Sequence, residues 1–195
     1  MFSAEQRSHQ YTLEEYLNCS DITQEQNCEL ENGQIQSMPP ESWQNLQIIM
    51  YLITEITKIV PYQQVTNKAE IIISGNRVTA RVPDLIVLTP EGAAELLQYK
   101  RSTITLDMPP PLLAVEVVSP GKKNRDRDYR YKRSEYAARG IAHYWIIDPQ
   151  DKKFIYFELK DGFYEEAEIA DKDSPEEVLI KLPFELKIKL ANIFY

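Results

Sequence analysis

The run LLAVEVV at residues 112–118 constrains the fold more than any other stretch of this chain. Successive side chains on a strand point to opposite sides of its sheet. Leu112, Ala114, Glu116 and Val118 therefore share one face, and Leu113, Val115 and Val117 the other. Both faces are apolar except for Glu116, the pattern of a central strand covered on both sides. Such a strand demands a layered domain, with helices or further strands packed over it.

Burying an ionised carboxylate is costly unless it is paired or binds a metal, so Glu116 requires an explanation. The segment RVPDLIVL, residues 81–88, repeats the anomaly: Val82, Asp84, Ile86 and Leu88 share a face on which Asp84 is the only charge. Each carboxylate could be satisfied separately by an arginine or a backbone amide. Alternatively the two converge, repel one another and hold a cation between them. Oxygen ligands alone would select Mg²⁺ or Mn²⁺ over zinc.

The rest of the chain supplies the layers. Thr12 and Glu15 form a capping box that opens a helix ending near Asn18. Asn32-Gly33 marks a tight hairpin in NCELENGQIQSM, and Gly75-Asn76 a second one between KAEIIIS and RVTARVPDLIVLT. From Ser42, the residues Trp43, Leu46, Ile49, Met50, Ile53, Ile56 and Val60 recur at helical steps, predicting an amphipathic helix that Pro61 ends. PEGAAELLQYK reads as a short helix, and NRDRDYRYKRSEYAARG as a longer one stopped by Gly140. IAHYWIID is a strand, FIYFEL-KDG-FYEEAEI a third hairpin, and the tail a strand with a short terminal element. The expected class is α/β (α+β), a mixed central β-sheet flanked by helices with additional hairpins. No linker divides the chain, so residues 1–195 are expected to form a single domain.

Composition narrows the function classes. The formal charge of −8 argues against a nonspecific nucleic-acid binder. Yet Gly121–Arg133 carries Lys122, Lys123, Arg125, Arg127, Arg130, Lys132 and Arg133 against only Asp126 and Asp128. This basic run is either a solvated helix face or a local phosphate-contacting patch. No signal peptide or membrane span is visible, and a cytoplasmic protein is expected. Cys19 and Cys28 are expected as free thiols. Asp128, Lys132 and Tyr136, spaced by four, share a helical face. Lys132 either pairs with Asp128 or reaches over the strand end toward the carboxylates, where it could act on a water or balance charge on a phosphate.

The order VPDLIVL, LLAVEVVSP, DYRYKRSEYAARGIAHYWIIDP resembles the Uma-type family of restriction-endonuclease-like proteins, within the PD-(D/E)XK nuclease superfamily. The likeness runs from about CELENGQI to YWIIDP. It implies a nuclease core in which Asp84 and Glu116 are metal ligands, with the Val117 carbonyl oxygen as a further one. Glu29 matches an early glutamate of the family's pattern and would complete the acidic cluster, although by itself its hairpin position could equally face solvent. The superfamily's lysine position holds Val118 here; in Uma-type proteins the lysine lies on the following helix, where Lys132 stands. Asn45 replaces a histidine usual in the family, and His143 an acidic residue.

The expected activity is a Mg²⁺-dependent (or Mn²⁺-dependent) endonuclease acting on nucleic acid, with DNA the favoured partner. Glu29, Asp84, Glu116 and Lys132 would be its catalytic set, and Lys122, Lys123 and Arg125 would bind substrate phosphates. The competing reading is a catalytically inactive nuclease-fold module that binds nucleic acid or a protein partner. A homodimer through an exposed strand is compatible with either. A hydrolase with Ser119 as nucleophile lacks both a glycine-framed turn and a placed histidine.

Overall fold

The computed structural model describes residues 9–19, 28–74, 78–171, 173–181 and 183–194. The capping box forms as expected. The Glu15 N–H donates to Thr12 Oγ1 at 3.2 Å, the Thr12 N–H donates back to Glu15 Oε2 at 2.8 Å, and α1 (Leu13–Asn18) follows. β1 (Cys28–Glu31) and β2 (Gln34–Ser37) join through Asn32 and Gly33 at φ 51° and 82°, the positive values that a two-residue hairpin turn requires. Ser42 caps α2 (Trp43–Ile56), its hydroxyl accepting from the Asn45 N–H at 3.1 Å. Short strands β3 (Val65–Thr66), β4 (Glu70–Ser74), β5 (Thr79–Arg81) and β6 (Leu85–Val87) come next.

Thr89 caps α3 (Pro90–Leu96), which begins on a proline that needs no hydrogen-bonding partner there. After β7 (Thr103–Ile104) comes β8 (Leu113–Val117), buried at every position. The basic stretch then forms α4 (Lys122–Asp126), a π-helical segment over Arg127–Lys132, and α5 (Arg133–Arg139), closed by Gly140 at φ 82°. The chain ends with β9 (His143–Asp148), the hairpin of β10 (Lys153–Lys160) and β11 (Phe163–Asp171), then β12 (Glu177–Ile180) and β13 (Leu186–Lys189).

The result is the expected mixed α+β arrangement. Six strands form the main sheet in the order β11-β10-β9-β8-β6-β3, with β8 and β9 parallel and the other pairs antiparallel. The parallel pair needs a crossover, which the α4-to-α5 stretch supplies. A second sheet runs β2-β1-β5-β4-β7. The alternation read from LLAVEVV holds in space: Leu113, Val115 and Val117 pack with Ile48, Leu52 and Ile56 of α2, and Ala114 and Val118 pack with Tyr136 of α5. Each fully buried valine or leucine of β8 contributes roughly 1.5–3 kcal/mol. Among the described residues no helix is long and apolar enough to cross a membrane.

Two expectations are corrected. RVTARVPDLIVLT is not one hairpin strand: it breaks at Val82-Pro83-Asp84, so β5 joins the second sheet and β6 the main one. Pro83 has no N–H for a ladder, and Asp84 uses its side chain there instead. The Gly75-Asn76 turn lies outside the described residues. The second correction concerns α2, which ends at Ile56 rather than running to Pro61. Its buried stripe is Asn45, Ile48, Ile49, Leu52 and Ile56, whereas Trp43, Leu46 and Met50 are 75%, 40% and 54% exposed. A helix on a sheet buries one stripe roughly 100° wide, and the apolar residues of α2 spill beyond it.

Candidate active site

Both sheets contribute to one cleft of about 120 Å³, lined among others by Glu29, Glu41, Asp84, Glu116, Val117 and Lys132. Lys132 is its hub. The ammonium lies 2.8 Å from Glu116 Oε2, 3.1 Å from Glu29 Oε1 and 3.7 Å from Asp128 Oδ1. All four side chains are buried. The lysine reaches the strand because Gly121, at φ 109°, turns the chain from β8 into a helical crossover. That crossover lies over the Glu116 face. Both readings of Lys132 are therefore realised, and the contact to the strand carboxylate is the shorter. One turn further on, the Tyr136 hydroxyl donates to Glu116 Oε1 at 2.6 Å.

Asp84 sits immediately before β6. The β6–β8 ladder stops at Leu85 opposite Val115, and the Asp84 carboxylate continues it by accepting the Val117 N–H at 2.6 Å. Glu29 reaches the cleft from the second sheet. Its Oε2 accepts from Arg81 Nη1 at 2.9 Å, while Arg81 holds Glu135 with two bonds of 2.8 Å from Nε and Nη2. Across the cleft, Glu41 Oε1 accepts from Asn45 Nδ2 at 2.6 Å, the Ser42 N–H at 3.0 Å and Ser119 Oγ at 3.3 Å. The same Asn45 amide lies 3.3 Å from the Val117 carbonyl oxygen.

The electrostatics separate the carboxylates into two kinds. Burial raises Asp84 well above the usual range and the Glu116 charge adds to it, with Lys132 and the Val117 N–H offsetting only part. Burial also pushes Glu116 up, to about 7, against the pull of Lys132 and with help from Asp128 and Glu29. Glu29 differs: burial works to raise it, but Lys132 and Arg81 outweigh that and hold it below its ordinary value. For Lys132, burial alone would favour loss of the proton, yet Glu116, Glu29 and Asp128 together raise its affinity above that of a free lysine. It is a fixed cation, with no tendency to act as a base near neutral pH.

A hard divalent cation fits this donor set. Asp84, Glu116 and the Val117 carbonyl present only oxygen, and two buried carboxylates whose charged forms are disfavoured, Asp84 in part by the Glu116 charge, would be relieved by positive charge between them. Among the described residues no three His, Cys, Asp or Glu side chains are grouped to hold an ion. The fit therefore rests on two carboxylates and a main-chain oxygen, with water or substrate filling the other positions. Glu29 is taken up by its two cations.

The cleft thus gathers Glu29, Asp84, Glu116, Val117 and Lys132. Of the basic run it takes in Arg127 and Lys132, but not Lys122, Lys123 or Arg125. Lys122 and Lys123 are exposed at the start of α4, and Arg125 turns to Asp151 and to Asp148, the latter at 3.3 Å. Residues not foreseen as contributors are Glu41, Arg81 and Glu135. Arg81 carried a signal, a lone charge in the apolar run VTARV; Glu41, in a proline-rich loop, carried none. Removing only the hydroxyl in Tyr136→Phe is expected to cost about 1.5–3 kcal/mol, the range for a hydrogen bond to a charged group. Urea denaturation measures it, and an unchanged midpoint would show that the bond to Glu116 contributes nothing.

A family model described as "Uma2: Putative restriction endonuclease" matches residues 13–191. Among solved structures, a protein described as a putative nuclease belonging to DUF820, from Anabaena variabilis, superposes with a TM-score of 0.67 at 15% identity, covering 94% of this chain and 97% of that one. At that identity the likeness is one of fold. Among curated proteins none matches.

Proposed function

The chain belongs to the Uma2 restriction-endonuclease family, and from that premise we propose that it is an endonuclease hydrolysing phosphodiester bonds of DNA with Mg²⁺ or Mn²⁺. The observation that carries this reading is the Lys132 ammonium 2.8 Å from Glu116, in the cleft that Asp84 also lines. Asp84, Glu116 and the Val117 carbonyl would hold the cation, which when bound would polarise a phosphate oxygen and acidify a water. Lys132 supplies a preorganised positive charge toward which negative charge on the phosphate can develop. Its raised proton affinity supports a charge-stabilising role over that of a base. Glu29 and Asp128 orient that ammonium, and Arg81 in turn orients Glu29. Asn45 and Ser119 position Glu41 on the facing wall, so Asn45 has a holding role of its own where a histidine is usual in the family.

The test pairs calorimetric Mn²⁺ titration with cleavage of plasmid and linear DNA. The expected outcome is a heat of binding that Glu116→Gln abolishes and cleavage that EDTA stops. Cleavage that persists in EDTA, or that Glu116→Gln leaves intact, would contradict the proposal. Binding of DNA without any cleavage would instead support a nuclease-fold binding module.

A further inference from the structure

α2 presents an apolar stripe that its own fold does not use. Trp43, Leu46 and Met50 lie at i, i+3 and i+7 on its outer side, exposed at 75%, 40% and 54%. The stripe is continuous with the candidate active site: Leu46 lines the cleft together with Asp84 and Glu116. The hydrogen bond from Ser119 Oγ to Glu41 Oε1 at 3.3 Å ties two segments together at the cleft mouth. Two residues beyond Glu41 stands Trp43, and three beyond Ser119 stands Lys122, followed by Lys123. Both lysines are exposed, and Lys68 on the cleft lining is exposed too. None of the three has a side-chain ion partner among the described residues. An exposed indole on a stripe that reaches the cleft through Leu46, with lysines that have no ion partner among the described residues on the cleft lining and on the segment after Ser119, matches a polyanion that carries flat apolar faces.

Rigidity decides which form of that polyanion fits. Glu116 and Lys132 are only 3% and 2% exposed, so the groups that would act on a phosphate are recessed. The backbone of an intact duplex follows a stiff cylinder, and its bases are stacked on one another. A single strand can descend into a recess, and its unstacked bases can lie on an aromatic ring. Resting on the nuclease reading above, we propose that the preferred substrate is single-stranded nucleic acid, or a strand unpaired at the cut, with one base stacked on Trp43. Lys68, Lys122 and Lys123 contact its phosphates, and the contact is correspondingly weakened by salt.

Tryptophan fluorescence tests this directly. The chain has two tryptophans, and Trp145 is fully buried, so quenching by added oligonucleotide reports Trp43. The full chain is titrated in EDTA with an oligothymidylate and, separately, with a blunt duplex of equal length. The oligothymidylate is expected to quench emission and to bind more tightly than the duplex. Trp43→Ala is expected to weaken single-strand binding about 5- to 150-fold, equivalent to 1–3 kcal/mol for one stacked base. Trp43→Phe, which keeps a ring, restores most of it, and duplex affinity stays the same in both variants. An unchanged single-strand affinity in Trp43→Ala, or an equal loss for duplex, overturns the inference. Metal-dependent cleavage that persists alongside such a result leaves the nuclease reading standing. Failure to bind either nucleic acid overturns the inference, while metal-dependent cleavage decides the nuclease reading separately. A Trp43 emission that shifts with protein concentration alone, without oligonucleotide, assigns the stripe to a second copy of the chain and also overturns it.

Discussion

Lys132→Met is expected to destabilise the fold by about 3–5 kcal/mol, the usual cost of removing one partner from a buried ion pair, and to abolish cleavage. Methionine fills a similar volume, so the loss is electrostatic. Without the ammonium, Glu29 keeps Arg81 at 2.9 Å and Asp128 keeps Arg127 at 3.1 Å. Among the described residues, Glu116 keeps only the Tyr136 hydroxyl. Glu116 is therefore the carboxylate left with an uncompensated charge or forced to hold a proton, which predicts a specific rescue. The double variant Lys132→Met/Glu116→Gln should recover much of the lost stability and none of the activity, because an amide needs no counter-ion. Chemical denaturation of the single and double variants measures the coupling between the two residues. If Lys132→Met costs less than about 1 kcal/mol, the ammonium is not the keystone of the cluster and the pairing energy lies elsewhere.

Asp84→Asn is expected to have opposite effects on the two observables. Cleavage should fall about 10²–10³-fold or more, on the scale of removing one preorganised charged group from a site, since on the proposed reading a metal ligand would be lost. Stability without divalent cation should rise. The asparagine carbonyl can still accept the Val117 N–H, and the buried charge that repels Glu116 is gone. A gain of ~1 kcal/mol would appear as roughly 2–4 °C in Tm for a chain of this size. The pH dependence gives the sign independently. Asp84 and Glu116 both have proton affinities raised by folding, so the stability they contribute is present below the ordinary carboxylate value. It is lost as pH rises through the folded value, about 7 for Glu116. Metal-free wild type should accordingly lose stability from these groups between about pH 4.5 and 7, and Asp84→Asn should lose less. Added Mg²⁺ should raise the wild-type Tm more at the upper end of that window, where it no longer competes with protons. A Tm for Asp84→Asn below that of wild type at neutral pH in EDTA would contradict this account.

Much of this was legible in the residues alone. LLAVEVV announced a two-faced central strand because alternation is a property of the backbone, and Val115 and Ala114 do face opposite layers. The i, i+4 spacing of Asp128, Lys132 and Tyr136 likewise placed them on one helical face. Local signals such as Thr12 with Glu15, Asn32-Gly33 and Gly140 each produced the expected cap or turn.

What the local pattern could not reach was anything set by a neighbour distant in the chain. RVPDLIVL alternates well enough to pass for one strand, yet Asp84 lies off it, since Val117, 33 residues away, offers an N–H where the ladder ends. Trp43, Leu46 and Met50 read as core, but a helix lying on a sheet buries only one stripe of its surface. Arg81 stood out as a lone charge and Glu29 as a candidate, but their pairing with each other and with Glu135 needed β1 and β5 to pair and bring them against α5. The sequence by itself determined most of the elements, the two-sided burial of β8 and the presence of carboxylates that needed partners, because these follow from backbone periodicity and the cost of desolvation. Only the tertiary structure decided which cation meets which carboxylate. Ion pairing depends on a few ångströms, and those distances are set by how two sheets and a crossover helix close on one another.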